Sequence, residues 1–369
     1  MRDVNVDSIK QALKDRIGEL CARLLPDGRQ QGRFWVAHNP VTGDAIDHPK
    51  DPTFKVPLDG DAGAWVDYRS GDKGDVIRLI EYTQRLDFRQ AMDWAREFLG
   101  LRAMTARQRV DFRAEQEARR AEAARAAEAK ALEKRKAVLR LWDGAGSILD
   151  DTPAAALGRR YFSEGRGTPL DQIENLDRVT FRVHPALEWW RGATWERRGG
   201  RLCKVALGPK FPAIVSGFRS PTGVVTAVHC TFLDPVEPRK APVKEAKLMF
   251  GEAAGSVIAV SCGPTGLAHD AASEPGPLVL CEGTEDGTTL ALGIPEARVW
   301  AAGSLLHMGK APVWLPCVSA VFVAADNDWK SRTAQRQLDQ VLADIASHGK
   351  PVEVMRSAIG KDFNDGMTE

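Results

Sequence analysis

The sequence has no Cys-x-x-Cys pair, and its 6 cysteines are scattered at Cys21, Cys203, Cys230, Cys262, Cys281 and Cys317. That spacing offers no zinc-ligand pattern and suits reduced thiols, so a cytoplasmic location is expected. An excess of one charge is also missing: 51 Lys+Arg against 50 Asp+Glu leave a formal net charge of +1. Overall charge therefore argues neither for nor against a nucleic-acid partner. No apolar run approaches the ~18 residues of a membrane span, and the mixed, charged N-terminus does not read as a signal peptide. Tyrosine is scarce, with 3 in 369 residues, at Tyr68, Tyr82 and Tyr161. A P-loop is absent. In "GSLLHMGKA" the gap from Gly303 to Gly309 is one residue too long, and Ala311 stands where a hydroxyl would hold Mg²⁺. That excludes a fused helicase motor.

What is present is 43% hydrophobic residues, enough for a sizeable core and two or three domains. Residues 1–100 read as a small α+β module. "VDSIKQALKDRIGELCARLL" repeats Ile9, Leu13, Ile17, Leu20 and Leu24 at helical spacing. Short strands "GRFWVAH", "PTFKV" and "AWVDY" follow, and two helices close the module at Gly100. Residues 101–142 are almost all Ala, Arg, Glu, Lys and Gln. They predict one long solvated helix of about 55–60 Å acting as a linker. Residues 143–276 are mixed and lean basic between 201 and 250, with a hairpin turning at Pro221-Thr222-Gly223. Residues 277–369 alternate strand and helix, which predicts a parallel sheet with covering helices.

In that last domain "LVLC" runs straight into Glu282-Gly283, "VFVAA" into Asp326 and Asp328, and "VEVMRS" is followed by "GKDFND", with Asp362 and Asp365. In open α/β sheets ligands bind at the carboxyl ends of strands. A lone acid at such a turn is more often a helix cap. Three acidic turns in one short unit favour a shared hard cation, with Mg²⁺ or Mn²⁺ the fitting ion. Glu285 opens a helix, where an acid suits the dipole, and is read as structural.

E-G-x-x-D (Glu282, Gly283, Asp286), D-x-D (Asp326, Asp328) and K-D (Lys361, Asp362) resemble the motifs of the Toprim domain in bacterial, phage and plasmid primases. "GRRYFSEGRG", the "FPAIV" hairpin and "AKLMFG" are similar to the connecting region of primases from phages and mobile elements. The resemblance implies a Rossmann-like Toprim sheet over 277–369, a basic template and nucleotide subdomain over 143–276, and DNA-directed primer synthesis with two divalent ions. It makes Glu282, Asp326 and Asp328 catalytic, with Asp286 and Asp362 as further metal ligands. Lys210, Arg219, Lys244 and Lys247 become candidates to hold single-stranded template and nucleoside triphosphates, with Lys330 and Lys361 beside the metals. A replicative helicase would be a separate partner, or belong to a longer chain of which this is part.

The N-terminal module departs from the family, whose ribbon holds zinc with C-x-x-H and C-x-x-C. The matching places read "WVAH" and "WVDY", leaving His38 alone, whereas a structural zinc needs four ligands. No zinc is expected. Trp35, Trp65 and Tyr68 either pack in its place or stack on template bases. Rival Toprim chemistries are weighed the same way. A topoisomerase needs a nucleophilic tyrosine, and all three lie outside 277–369. A metal-dependent nuclease or nickase using the same acids, and a non-catalytic single-strand-binding accessory protein, remain as alternatives.

Overall fold

The computed structural model describes residues 6–42, 52–101, 106–199, 201–327, 332–358, 360 and 362–368. The chain forms two compact units, Met1–Lys130 and Ala131–Glu369.

In the first unit, helices α1 (Val6–Asp15) and α2 (Ile17–Leu24) precede a five-stranded antiparallel sheet. Its strands are β1 (Arg29–Gln31), β2 (Phe34–Ala37), β3 (Phe54–Pro57), β4 (Trp65–Asp67) and β5 (Lys73–Gly74), paired in chain order. Helices α3 (Val76–Gln84) and α4 (Phe88–Phe98) follow. Both have acidic N-caps: the Asp75 carboxylate accepts the Ile77 and Arg78 N–H groups, and Asp87 forms a capping box with Gln90. Ile9, Leu13, Leu20, Phe54, Leu79 and Ile80 make a closed core.

Trp65 is 3% exposed and packed between Phe54, stacked on it, and Tyr82, tilted against it, each with ring centroids 4.8 Å away. Removing a buried Trp costs about 3–5 kcal/mol, against about 1–3 kcal/mol for one base stack. Packing therefore wins, and Trp65 is no base-stacking residue. Trp35 is half-buried against the same core, its indole donating to the Leu25 carbonyl at 3.2 Å. Only Tyr68 of the three stands out, 67% exposed with Lys55 5.2 Å over its ring. Beside it Asp67, 1% exposed, accepts hydrogen bonds from Asn39 (2.7 Å), Thr53 (2.6 Å) and Ser70 (2.9 Å). Burial alone would raise its pKa, but these bonds and the Arg69 N–H together hold it down to about 2.

Helix α5 (Ala106–Asp143) is rich in good helix formers, and its residues 117–136 are all exposed, as a solvated helix requires. Its last turns enter the second unit, where Val138 and Trp142 are buried against Val215, Val228 and Phe232.

The second unit carries two large sheets. One is antiparallel, in the order β12 (Lys247–Gly251), β11 (Val225–Phe232), β10 (Lys210–Arg219), β7 (Phe181–Glu188), β6 (Gly146–Ser147). Helix α6 (Pro153–Arg166) lies beside it, capped by Thr152, with Pro153 in its first turn and Gly167 at φ 66° ending it. A small ribbon of β8 (Thr194–Arg198) and β9 (Arg201–Ala206) pairs with no third strand among the described residues.

The other sheet runs β13 (Ile258–Cys262), β15 (Arg298–Ala301), β14 (Gly276–Cys281), β16 (Val318–Ala325), β17 (Val352–Arg356). From β15 to β17 it is parallel, as expected; β13 is an antiparallel edge. That edge comes from ahead of residue 277, so the sheet draws on the preceding region. Helix α7 (Thr284–Gly293) covers one face, with Leu290 in a core that holds Val279, Val260, Phe218 and Phe162 and so spans both large sheets. Helix α9 (Arg332–Ala346), after the short α8 (Leu305–Met308), covers the opposite face, setting Leu338, Val341 and Ile345 against Leu278 and Leu280. Successive residues of β14 thus serve opposite faces. The chain closes with α10 (Asp365–Thr368).

Candidate active site

The parallel strands deliver acids to one end of the sheet. Strand β14 ends on the buried Cys281, and Glu282 emerges exposed. Gly283 then starts α7 with ordinary extended geometry, φ −103° and ψ 158°. Its glycine is explained by room: a Cβ there would stand 3.1 Å from the Asp286 carboxylate. Strand β16 ends in the same way on Asp326, and Glu282 and Asp326 line one small cavity, about 40 Å³, with Leu305, Met308, Leu338 and Arg356. The Cys281 thiol is pushed well above its ordinary pKa by burial and then by the charges of Asp286, Asp326 and Glu282, so these acids surround one strand end.

The turn after β17 completes the cluster. Asn327, between the two D-x-D acids, donates to the Ser357 and Gly360 carbonyls at 3.1 and 3.0 Å, tying the turns together. The Asp286 carboxylate accepts the Phe363 and Asn364 N–H groups at 3.1 and 3.2 Å. Asp362 accepts the Asn364 and Asp365 N–H groups at 3.1 and 3.0 Å, so it caps α10 as well as facing the cluster. Asn364, 7% exposed, donates to the Arg166 carbonyl and the Thr289 hydroxyl, anchoring the turn on α6 and α7. Asp328, Lys330 and Lys361 lie outside the described residues.

Asp286 feels this crowding most. Burial first, then the charges of Asp362 and Asp326, raise its pKa from 3.8 to about 7. Among the described residues no three His, Cys, Asp or Glu side chains form a ready-made metal cage. The donors present nonetheless fit a hard divalent cation: all are carboxylates, and their mutual repulsion is what such an ion relieves.

The raised pKa has a measurable consequence. The folded protein binds the Asp286 proton more tightly than the unfolded chain. The resulting stability is complete below pH 4 and is lost as pH rises through about 7. In chelator, Asp286→Asn should flatten that decline and raise stability at pH 8 by about 1–3 kcal/mol, because Asn still accepts both N–H groups. Thermal unfolding at pH 5 and pH 8 checks this; identical pH dependence in the two proteins would contradict it.

Beside the acids lies a cation cluster that sequence reasoning passed over. The Glu285 side chain, 14% exposed, takes a short contact from Lys247, bonds from Arg166 at 3.2 Å and Lys240 at 3.3 Å, and a short hydrogen bond from the Tyr161 hydroxyl. Burial opposes its charge, but Lys247 and Lys240, with the bonds from Lys247 and Tyr161, hold its pKa down to about 2. Glu285 is therefore more than an acid suited to a helix dipole. Three cations on one carboxylate leave an excess of positive charge at the residue next to Asp286. Arg166 and Tyr161 are 119 and 124 residues from Glu285, so no periodicity connects them.

The remaining basic candidates divide. Lys247 is in the cluster, and Lys210 and Lys244 are exposed. Arg219 is corrected: it is 6% exposed, hydrogen-bonded to Asp177 and 3.2 Å from the Thr180 hydroxyl. Its backbone bridges to Val257, next to β13. A guanidinium held there is unavailable to a template.

The C-terminal sheet is a Toprim domain: residues 277–369 match that family. Residues 132–260 match a domain of unknown function (DUF7146). No curated protein matches the sequence. Among solved structures, the chain is similar to the Aquifex aeolicus primase (zinc-binding and RNA polymerase domains), at 15% identity and TM-score 0.37, over 97% of this chain and 81% of that one. It is similar to the E. coli primase catalytic core at 17% identity and TM-score 0.36, over 58% and 69% of the two chains. The primase fragment of the bacteriophage T7 primase-helicase protein is similar at 13% identity and TM-score 0.35, over 55% and 66%. Strand β13 extends the Toprim sheet on the side away from β16 and β17. No described helix is long and apolar enough to cross a membrane.

Proposed function

We propose that this protein is a primase-type nucleotidyltransferase that makes short RNA primers on single-stranded DNA from nucleoside triphosphates. One observation carries the reading: Glu282, Asp286, Asp326 and Asp362 gather at the exit of a Toprim sheet, with the Lys247–Lys240–Arg166 cluster alongside. Glu282, Asp326, Asp328, Asp286 and Asp362 would hold two Mg²⁺ or Mn²⁺ ions. Such ions, when bound, make a 3′-hydroxyl a better nucleophile and neutralise charge at the α-phosphate.

The protein's own groups then position and take up charge. Lys247, Lys240 and Arg166 face the triphosphate. Lys210 and Lys244 lie along the template. The 3′-oxygen bonds to the α-phosphorus, the bond to the bridging oxygen breaks, pyrophosphate leaves, and Glu282 accepts the hydroxyl proton. Residues 1–100 act as a zinc-free counterpart of the primase ribbon, in which the hydrogen bonds around Asp67 cross-link the strands a metal would otherwise join.

The test is incubation with circular single-stranded DNA, labelled nucleotides and Mg²⁺ or Mn²⁺. Short labelled products with an intact circle support synthesis. A cut circle without products would move the same acids to a nuclease.

A further inference from the structure

The β8–β9 ribbon belongs to neither large sheet, yet its geometry is well held at the base. Trp190 packs edge-on against Phe232 and Phe250, with centroids 5.7 and 6.3 Å away. Trp189 donates to the Glu245 carbonyl at 2.9 Å, and the Gly208 N–H donates to the Glu188 carboxylate at 2.9 Å. Gly208 itself allows a close crossing, since a Cβ there would lie 2.2 Å from the Trp189 carbonyl oxygen. Beyond this base every residue of β8 is exposed. A free two-stranded hairpin is marginal in water, so the fixed base is what keeps this one in place.

The exposed face has a definite chemistry. Trp195 is 47% exposed, with Lys204 opposite it in register and 5.5 Å over its ring. Arg197 is exposed two residues along the same face. From 190 to 210 the sequence has Arg191, Arg197, Arg198, Arg201, Lys204 and Lys210 against one acid, Glu196. At the foot of the ribbon a groove is lined by Trp190, Arg191, Trp195, Lys247 and Met249, with Glu245 paired to Arg191 at 3.2 Å. Lys247 closes the circuit, because it is the residue bound to Glu285, next to Asp286.

We infer that the β8–β9 ribbon and this groove form a binding surface for single-stranded nucleic acid, leading the strand from Trp195 to Lys247 and the acid cluster. Charge complementarity selects a polyanion. A protein partner would meet an interface core depleted of charge, whereas charges line this surface. The exposed indole selects unpaired bases, which alone offer a face to stack on. The assignment rests on the nucleic-acid reading above but adds a surface that no part of the chemistry requires.

Binding of fluorescein-labelled oligo-dT to the full chain, followed by anisotropy in chelator, tests it without involving catalysis. Trp195→Ala should weaken binding about 5- to 100-fold, and Trp195→Phe should restore most of it. Arg197→Glu/Arg198→Glu should also flatten the slope of log affinity against log salt. Because every residue of β8 is exposed, thermal unfolding should be unchanged in all three. Wild-type affinity and slope in these variants would overturn the inference and leave the ribbon for a protein partner. Primer synthesis by wild type would still stand in that case. Conversely, weakened binding with no synthesis by wild type would keep the ribbon and remove the polymerase.

Discussion

Asp326→Asn should lower nucleotide incorporation by about 10³-fold, the scale on which removing one preorganised charge near a reacting oxygen is felt. The substitution keeps the side chain's size and removes only its charge. The Asp326 carbonyl still accepts Arg356 at 2.9 Å, and the neighbouring Asn327 still ties the turn to the strand β17 exit. The fold should therefore survive, and relief of repulsion on Asp286 should make it slightly more stable without metal. Primer-extension gels with matched circular dichroism check both halves. Incorporation near the wild-type rate in a folded Asp326→Asn protein would make this acid a turn residue.

The second large effect is on stability. Arg219→Ala should cost about 3–5 kcal/mol, since it strands the Asp177 carboxylate inside the protein. For a unit of this size that is roughly 6–20 °C in Tm. Asp177 also receives the Cys262 thiol at 3.6 Å, and the Thr180 hydroxyl donates to the Ala259 carbonyl at 2.6 Å, so the loss spreads to strand β13. Lys210→Ala, at the exposed start of the same strand, should leave Tm nearly unchanged. Replacing Arg219 with Met and Asp177 with Leu together should recover much of the loss, because two apolar groups of similar bulk leave no charge unpaired. Equal Tm values for Arg219→Ala and wild type would mean that the pair is dispensable.

Arg219 also shows where sequence reading stops. "FPAIVSGF" ahead of it is apolar but for Ser216, and strand β10 is buried from Ala213 to Arg219. Such a run signals burial on both faces, so an Arg at its end lies inside as a structural ion. Counting it among surface cations ignored that signal. Strands β14 and β16 were legible because apolar runs ending on acids, Glu282 and Asp326, are unusual, and each acid lies where the sheet rule places ligands. The antiparallel edge β13 was not: five buried residues in a mixed region carry no mark of which sheet they join. Trp65 follows the ordinary rule that large aromatics bury. Glu285 failed for a different reason. Its local position explains a helix-start acid completely, and only the fold brings Arg166, Lys240 and Lys247 to it.

The claim that joins these parts is that Glu282 and Asp326 leave their strands as acids because they share a divalent ion. Manganese binding by electron paramagnetic resonance tests it most directly, since protein-bound Mn²⁺ loses the sharp signal of the free ion. Metal-free wild type should bind Mn²⁺, with affinity reduced more than about 10-fold in Asp326→Asn and in Glu282→Gln and unchanged in Lys210→Ala. Binding curves that superimpose for wild type and both acid variants would contradict the account.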